Sequence, residues 1–257
     1  MISLRDISTL PPEGLKKDDV KSEFKKLQHE IADLQNLMYA HGKYSFLVVL
    51  QSMDAGGKDG TTRDVFNECS AVSLNVASFK APTKLEMAHD FLWRIHKEVP
   101  RKGEIKVFNR SHYEDVLIQR VYNWIDDERA IFRFKAINAF EELLAVDNDT
   151  IILKFFLYMT KDKQKEELLE RIDQRDKHYK HADGDWEHRP YWEGYMEAYE
   201  DVINHCNQVP WHIVPSDKGW YRNLFVARKV AETLRALPLE YPDLDKSTLH
   251  IPELGYE

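Results

Sequence analysis

Residues Phe24, Leu27, Ile31, Leu34 and Met38 recur at helical spacing. They predict a helix that Asp18 or Asp19 caps, that runs toward Tyr39 and that Gly42 ends. Upstream, Pro11, Pro12 and Gly14 break any helix, so residues 1–17 read as an extended arm. Ser45–Gln51 (SFLVVLQ) is short, apolar and β-branched, the pattern of a buried parallel strand. Four more such runs follow: Leu74–Phe79, Glu104–Phe108, Thr150–Met159 and Trp211–Pro215. Helical patterns fill the gaps. One follows a glycine-rich turn at 52–60, and one follows Ala81-Pro82-Thr83 and carries Phe91, Leu92 and Ile95. Others occupy most of Tyr113 to Val146, and a last one runs from about Trp220 to Leu237.

Strands alternating with helices predict an α/β fold, a five-stranded parallel sheet flanked by helices on both faces. A single domain over 18–257 follows the arm. The charged stretch Thr160 to Asn207 is too long for a simple crossover. It reads as a helical excursion, a lid region at about 160–207. There is no internal repeat and no low-complexity tract.

Composition narrows the function. A length of 257 residues with 43% hydrophobic side chains suits one large domain with a substantial core. The net charge of −8, from 36 basic and 44 acidic residues, argues against a nucleic-acid partner. It still permits a local basic channel, because net charge averages over the surface. Cys69 and Cys206 fit no zinc or redox spacing and read as reduced structural thiols. The first residues lack the apolar run of a signal peptide, and no stretch is long and apolar enough to span a bilayer. The expectation is a cytoplasmic protein with no membrane partner.

Two segments carry chemistry. Ser52-Met53-Asp54-Ala55-Gly56-Gly57-Lys58-Asp59-Gly60 lies between a predicted strand and a predicted helix, the setting of a phosphate-binding loop. Glycines let backbone N–H groups face one point, the helix N-terminus adds partial positive charge, and Lys58 adds a full one. The hydroxyl that holds Mg²⁺ in ordinary ATP-binding loops is replaced by Asp59, so another oxygen must serve, and Asp54 is the candidate. The second segment, Asn109-Arg110-Ser111-His112-Tyr113-Glu114-Asp115, stands where the third strand gives way to a helix. Ligands of open α/β sheets bind at that edge. Arg110 can grip a phosphate through two parallel hydrogen bonds. Taken alone, the same residues also suit a structural ion pair and a first-turn acid.

Together the two segments resemble the polyphosphate kinase 2 family, whose fold is similar to thymidylate kinase, a P-loop kinase. The family pairs a loop of the type G-x-D-x-x-G-K with a strand end of the type D/N-R-S-x-Y-N/E. The likeness continues through Phe79–Thr83, Phe91–Arg94, Lys177–Lys180 and Trp211–Asn223. Ser52 departs from the family's first glycine. The Asn109-Arg110-Ser111 start and Glu114 resemble the subgroup called class III. That resemblance implies transfer from inorganic polyphosphate to AMP and to ADP, a transfer that can run in either direction. It also implies Mg²⁺, with Mn²⁺ as its substitute, and a homo-oligomer, a dimer or tetramer.

A chain of anions calls for a path lined by cations. Lys58, Lys80 and Arg110 fall at strand ends and are expected to converge on one edge of the sheet. Arg63, Lys84, Arg94 and Arg120 are further basic positions, each by itself an ordinary surface charge. The expected assignment puts Lys58, Lys80, Arg110 and the backbone of Gly56, Gly57, Asp59 and Gly60 on donor phosphates. Asp54 holds the metal, and Asn109 and Glu114 lie toward the acceptor nucleotide. In the lid, Lys177 and Lys180 match the family pattern; Arg171 and Arg175 are undecided. Lys163 and Glu167 have the spacing of a helical ion pair. His178, His181 and His188 lack the spacing of a zinc site. Trp192, Tyr195 and Tyr199 recur at helical spacing and read as core. Two rivals stay open at this point: an ATP-dependent nucleoside monophosphate kinase, and a non-catalytic protein that binds polyphosphate or nucleotide.

Overall fold

The structure, a computed structural model, describes residues 1–244. The last stretch of the expected domain, 245–257, lies outside the described residues. Helix α1 spans Lys17–His41. Its cap falls two or three residues earlier than expected: Lys16 occupies the cap, and the Asp19 carboxylate accepts from the Lys16 N–H at 3.1 Å. Gly42 ends it in the left-handed conformation, φ 70°, as the sequence predicts. Strand β1 is Ser45–Gln51, and all seven residues are buried. Helix α2 is Lys58–Val65, and strand β2 is Leu74–Ser78.

The single helix expected after Thr83 is instead two separate turns, α3 (Lys84–Met87) and α4 (Trp93–His96). Thr83 and Glu86 satisfy each other's backbone N–H groups at the start of the first turn. The Asp90 carboxylate then accepts from the Leu92 N–H at 3.0 Å. A side chain that bonds its own backbone in this way competes with helix continuation. Strand β3 is Ile105–Asn109, one residue later than its apolar run, so Asn109 still pairs inside the sheet. After it come a tight turn at His112–Val116, α5 (Ile118–Val121) and α6 (Asp127–Asp147), capped by Asp126. Strand β4 is Thr150–Tyr158. Helices α7 (Lys161–Asp173), α8 (Asp183–Glu187) and α9 (Trp192–His205) follow. Strand β5 (Trp211–Pro215) and α10 (Gly219–Arg235) complete the described part.

The five strands are all parallel in the order β2-β3-β1-β4-β5. This is a P-loop kinase sheet covered on both faces. Alternation along β1 divides the core in two. Leu47 and Val49 pack with Phe108, Phe156 and the inward residues of α6 and α9. Phe46, Val48 and Leu50 pack with Val107, Phe155, Val214 and the inward residues of α1 and α10. Trp192, Tyr195 and Tyr199 are buried in the first of these cores, so α9 belongs to the body of the fold. The stretch that covers the sheet edge is therefore 161–191, shorter than the region read from the sequence.

The arm is not a loose extension. Leu4 is buried, its N–H donates to Glu200 at 3.2 Å, and the Thr9 hydroxyl donates to Asp217 at 2.7 Å. Leu4→Ala removes a buried side chain that the surrounding α9 residues cannot replace. It is expected to destabilise the fold by about 3 kcal/mol, read as a lower urea midpoint at unchanged slope.

Candidate active site

The carboxyl ends of β1 and β3 lie side by side, so the loop after β1 and the turn after β3 meet. Arg110 takes the left-handed conformation, φ 62°. That geometry is uncommon for a side chain with a Cβ and persists only where surroundings hold it. Its guanidinium ion-pairs with Asp54 in the loop. A second link joins the same two segments: the Asn109 amide donates to the Asp59 carboxylate. Asn109 thus faces the loop and the main cleft, apart from the small cavity that holds Glu114.

Lys58 opens α2 behind Gly57, which takes φ 88°. Its ammonium donates to the Ser52 hydroxyl at 2.9 Å, the Ser52 carbonyl at 3.1 Å and the Met53 carbonyl at 3.3 Å. Ser52, standing where the family has glycine, therefore holds the loop lysine by its side chain. Burial, reinforced by the charge of Arg110, brings the Lys58 ammonium down to about 8. Asp54 behaves in the opposite sense. Burial alone would raise it, but the His188 hydrogen bond and the charges of Arg110 and Lys58 outweigh burial and hold the carboxyl well below the usual range.

These residues line a cleft of about 710 Å³. The expected positions Asp54, Gly56, Gly57, Lys58, Asp59, Gly60, Lys80, Asn109, Arg110, Lys177 and Lys180 all line it. Glu114 is the exception. It lies in a small adjoining cavity with Asp54, Arg110, His188, Tyr195 and Tyr199, and accepts from the Gln51 amide at 3.1 Å. Of the other basic positions weighed from sequence, Arg63 lines the cleft beside its partner Asp64. Arg94 is buried behind it, donating to the Lys80 carbonyl at 2.8 Å and pairing with Asp115. Arg120 pairs with Asp201 and Asp127, away from the cleft.

The lid supplies both signs. Lys177 pairs with Glu170 at 2.6 Å, and Arg171 pairs with Asp185 while donating to the Lys180 carbonyl at 2.9 Å. Arg171 therefore faces the cleft, and Arg175 does not line it. The Lys163–Glu167 pair forms at 3.0 Å on α7, with Glu167 lining the cleft. Among the described residues, Lys58, Lys80, Lys180 and Arg222 line the cleft without a salt-bridge partner.

Two contributors were not singled out from the sequence. Arg222, in the first turns of α10, is half-buried against the loop and donates to the Thr61 hydroxyl at 2.8 Å. Its place just after a strand end inside the Trp211–Asn223 stretch is the signal that marks it. His188, from the lid, contacts Asp54 at 2.7 Å. Nothing local in its sequence distinguishes it from His178, which turns to the Ile172 carbonyl, or from His181, beside Asp183.

A Cβ on Gly57 meets the Arg222 guanidinium, and the positive φ is strained for any side chain. Gly57→Ala is expected to weaken tripolyphosphate binding about tenfold, because left-handed backbone costs a residue with a Cβ about 1–2 kcal/mol and the added Cβ also displaces the Arg222 guanidinium beside the loop; calorimetry of the variant measures it. Lys58 sets a pH dependence. Between about 8 and 10.5 the folded chain holds fewer protons at Lys58 than the unfolded chain, so this group alone makes stability rise with pH there. Anion binding needs the proton and runs the other way. Affinity for tripolyphosphate should fall above about pH 8, approaching about tenfold per pH unit. Proton uptake on binding, measured in buffers of different ionisation enthalpy, reads the same event.

With this geometry in place, comparison with known proteins is direct. The family model described as Polyphosphate kinase 2 (PPK2) matches residues 14–240. An "AMP/ADP-polyphosphate phosphotransferase" of Meiothermus ruber is 48% identical over 218 residues, which span 84% of this chain and 81% of that protein. An "ADP-polyphosphate phosphotransferase" of Rhodopseudomonas palustris is 39% identical over 227 residues, 83% of this chain and 78% of its own. The crystal structure of a polyphosphate kinase 2 from Arthrobacter aurescens superposes with a TM-score of 0.91 at 38% identity, covering 95% of this chain and 89% of that one.

Proposed function

The chain belongs to the polyphosphate kinase 2 family, and from that premise we propose that it transfers the terminal phosphoryl group of inorganic polyphosphate to AMP and to ADP. The observation that carries the reading is the meeting of Asp54, Lys58 and Arg110 in one cleft whose rim holds further unpaired cations. A polyanion with no fixed side-chain pattern needs such a path more than it needs shape recognition. In the transfer, a nucleotide phosphate oxygen forms a bond to the terminal phosphorus, and the bond from that phosphorus to the bridging oxygen breaks. The shortened polyphosphate keeps the electron pair. A nucleotide phosphate is already ionised near neutral pH, so alignment and charge neutralisation are the work to be done.

Lys58, Arg110 and the loop N–H groups hold the donor phosphates, and Lys80 extends the path along the next strand end. Asp54 keeps Arg110 turned into the cleft. Glu114, beside Arg110 in the adjoining cavity, lies toward the acceptor nucleotide. Lys177 and Lys180 close from the lid.

Mg²⁺, or Mn²⁺ in its place, fits the donor set. Asp54 and Glu114 offer hard carboxylate oxygens to one small cavity. Mg²⁺ characteristically takes one or two protein carboxylates, waters and substrate phosphates rather than a full protein cage. When bound, it neutralises phosphate charge and orients the chain. Asp54 and Glu114 are the residues that would hold it.

The protein acts in the cytoplasm as a homo-oligomer. Two free cysteines support the first point. Exposed Ile131, Phe132, Leu143 and Val146 on α6 support the second.

An assay with polyphosphate, AMP and Mg²⁺ but no ATP should produce ADP and then ATP. Production of ADP only when ATP replaces polyphosphate would instead establish a nucleoside monophosphate kinase. Lys58→Ala and Asp54→Asn should each lower the polyphosphate-driven rate about a hundredfold, on the order of 3 kcal/mol of barrier, while the fold is retained by circular dichroism.

A further inference from the structure

Lys154 is the one charged residue of β4, and it is wholly buried between Leu153 and Phe155. Its ammonium donates to Glu141 Oε2 at 2.7 Å, to the Tyr113 hydroxyl at 2.8 Å and to the Cys206 carbonyl at 2.8 Å. All three of its protons are thereby used. Glu141, from α6, is equally buried. Its other oxygen accepts from the Tyr113 hydroxyl at 2.6 Å and lies 3.4 Å from His112 Nε2. Burial would raise the Glu141 carboxyl, but His112 and Lys154 outweigh burial and hold it below its ordinary value.

Stability does not explain such a cluster. A buried ion pair replaced by apolar side chains of similar volume is often neutral or stabilising, because desolvation offsets the attraction. Its position is more informative. His112 and Tyr113 stand in sequence between Arg110 and Glu114. Strand β3 ends at Asn109, Arg110 turns left-handed, and the Ser111 hydroxyl accepts from the Tyr113 N–H at 3.2 Å. Arg110 and Glu114 face Asp54 in the small cavity, while His112 and Tyr113 turn back into the core. The Cys206 carbonyl closes the end of α9, whose Tyr195 and Tyr199 form the wall of that cavity. One ammonium thus joins the turn that carries the site to the helix that walls it.

We propose that the buried Lys154–Glu141–Tyr113 network is a positioning device that holds Arg110 and Glu114 in the orientation phosphoryl transfer requires. It rests on the reading of the site given above. None of its three residues touches the cleft; they act through the turn.

Two variants test this. Tyr113→Phe removes a single hydroxyl. Glu141→Leu with Lys154→Met replaces the pair by apolar groups of similar size. The double variant is expected to melt near the parent temperature and to lose about tenfold in kcat. KM for polyphosphate and for AMP should stay within about threefold, the split that marks loss of transition-state alignment. Backbone hydrogen exchange at residues 110–114 should quicken. Tyr113→Phe should act in the same sense, and its effect should largely vanish in a Glu114→Gln background, because residues that act as one unit are not additive. A well-folded double variant with parent kcat and parent exchange overturns the proposal. Should the double variant not fold, Tyr113→Phe decides on the same two readouts. Should the parent make no ADP from polyphosphate, the functional reading fails, and exchange at 110–114 still decides the positioning role.

Discussion

The ion pair between Arg110 and Asp54 is the contact on which the site depends, because it joins two loops that the sheet merely brings near each other. Parallel strands deliver their carboxyl ends to one rim, but they do not orient the side chains there. Arg110 is in a backbone conformation that is unfavourable for arginine, and its charge opposes that of Lys58. A carboxylate at Asp54 answers both problems. It fixes the guanidinium and offsets the concentration of positive charge that a polyanion path demands. The Asn109–Asp59 hydrogen bond repeats the connection one residue away with neutral chemistry on one side.

The strands were legible because buried parallel strands are written as short apolar runs, and β1 and β5 match their runs end to end. At β3 the apolar run stops at Phe108, yet pairing continues through Asn109, whose backbone bonds the neighbours whatever its side chain. The broken helix after Thr83 was hidden for a related reason. Phe91, Leu92 and Ile95 do face inward, but from a turn that Asp90 bends rather than from a continuous helix. The loop lysine, Asp54 and Arg110 were legible as local motifs. His188 and Arg222 were not, since each meets the loop across more than a hundred residues of chain. Lys154 carried a signal that went unread: a single charge in an otherwise apolar strand must have partners.

The cleft also shows how an acidic protein accommodates a polyanion. Acids that reach the cleft from the lid are neutralised in pairs, Glu170 with Lys177 and Asp185 with Arg171. Cations left without such partners gather at the rim. Mean charge and local potential therefore have opposite signs, which the composition alone conceals.

Arg222 gives the site a dependence on chain growth. The phosphate loop leaves the ribosome early, but the guanidinium packed against it belongs to α10, and the helix that carries it follows the last strand. Domains fold largely as units while synthesis proceeds from the N-terminus. A nascent chain that has exposed the loop but not residue 222 therefore lacks the guanidinium that packs against Thr61 and Gly56, and its phosphate loop is incomplete until α10 has emerged.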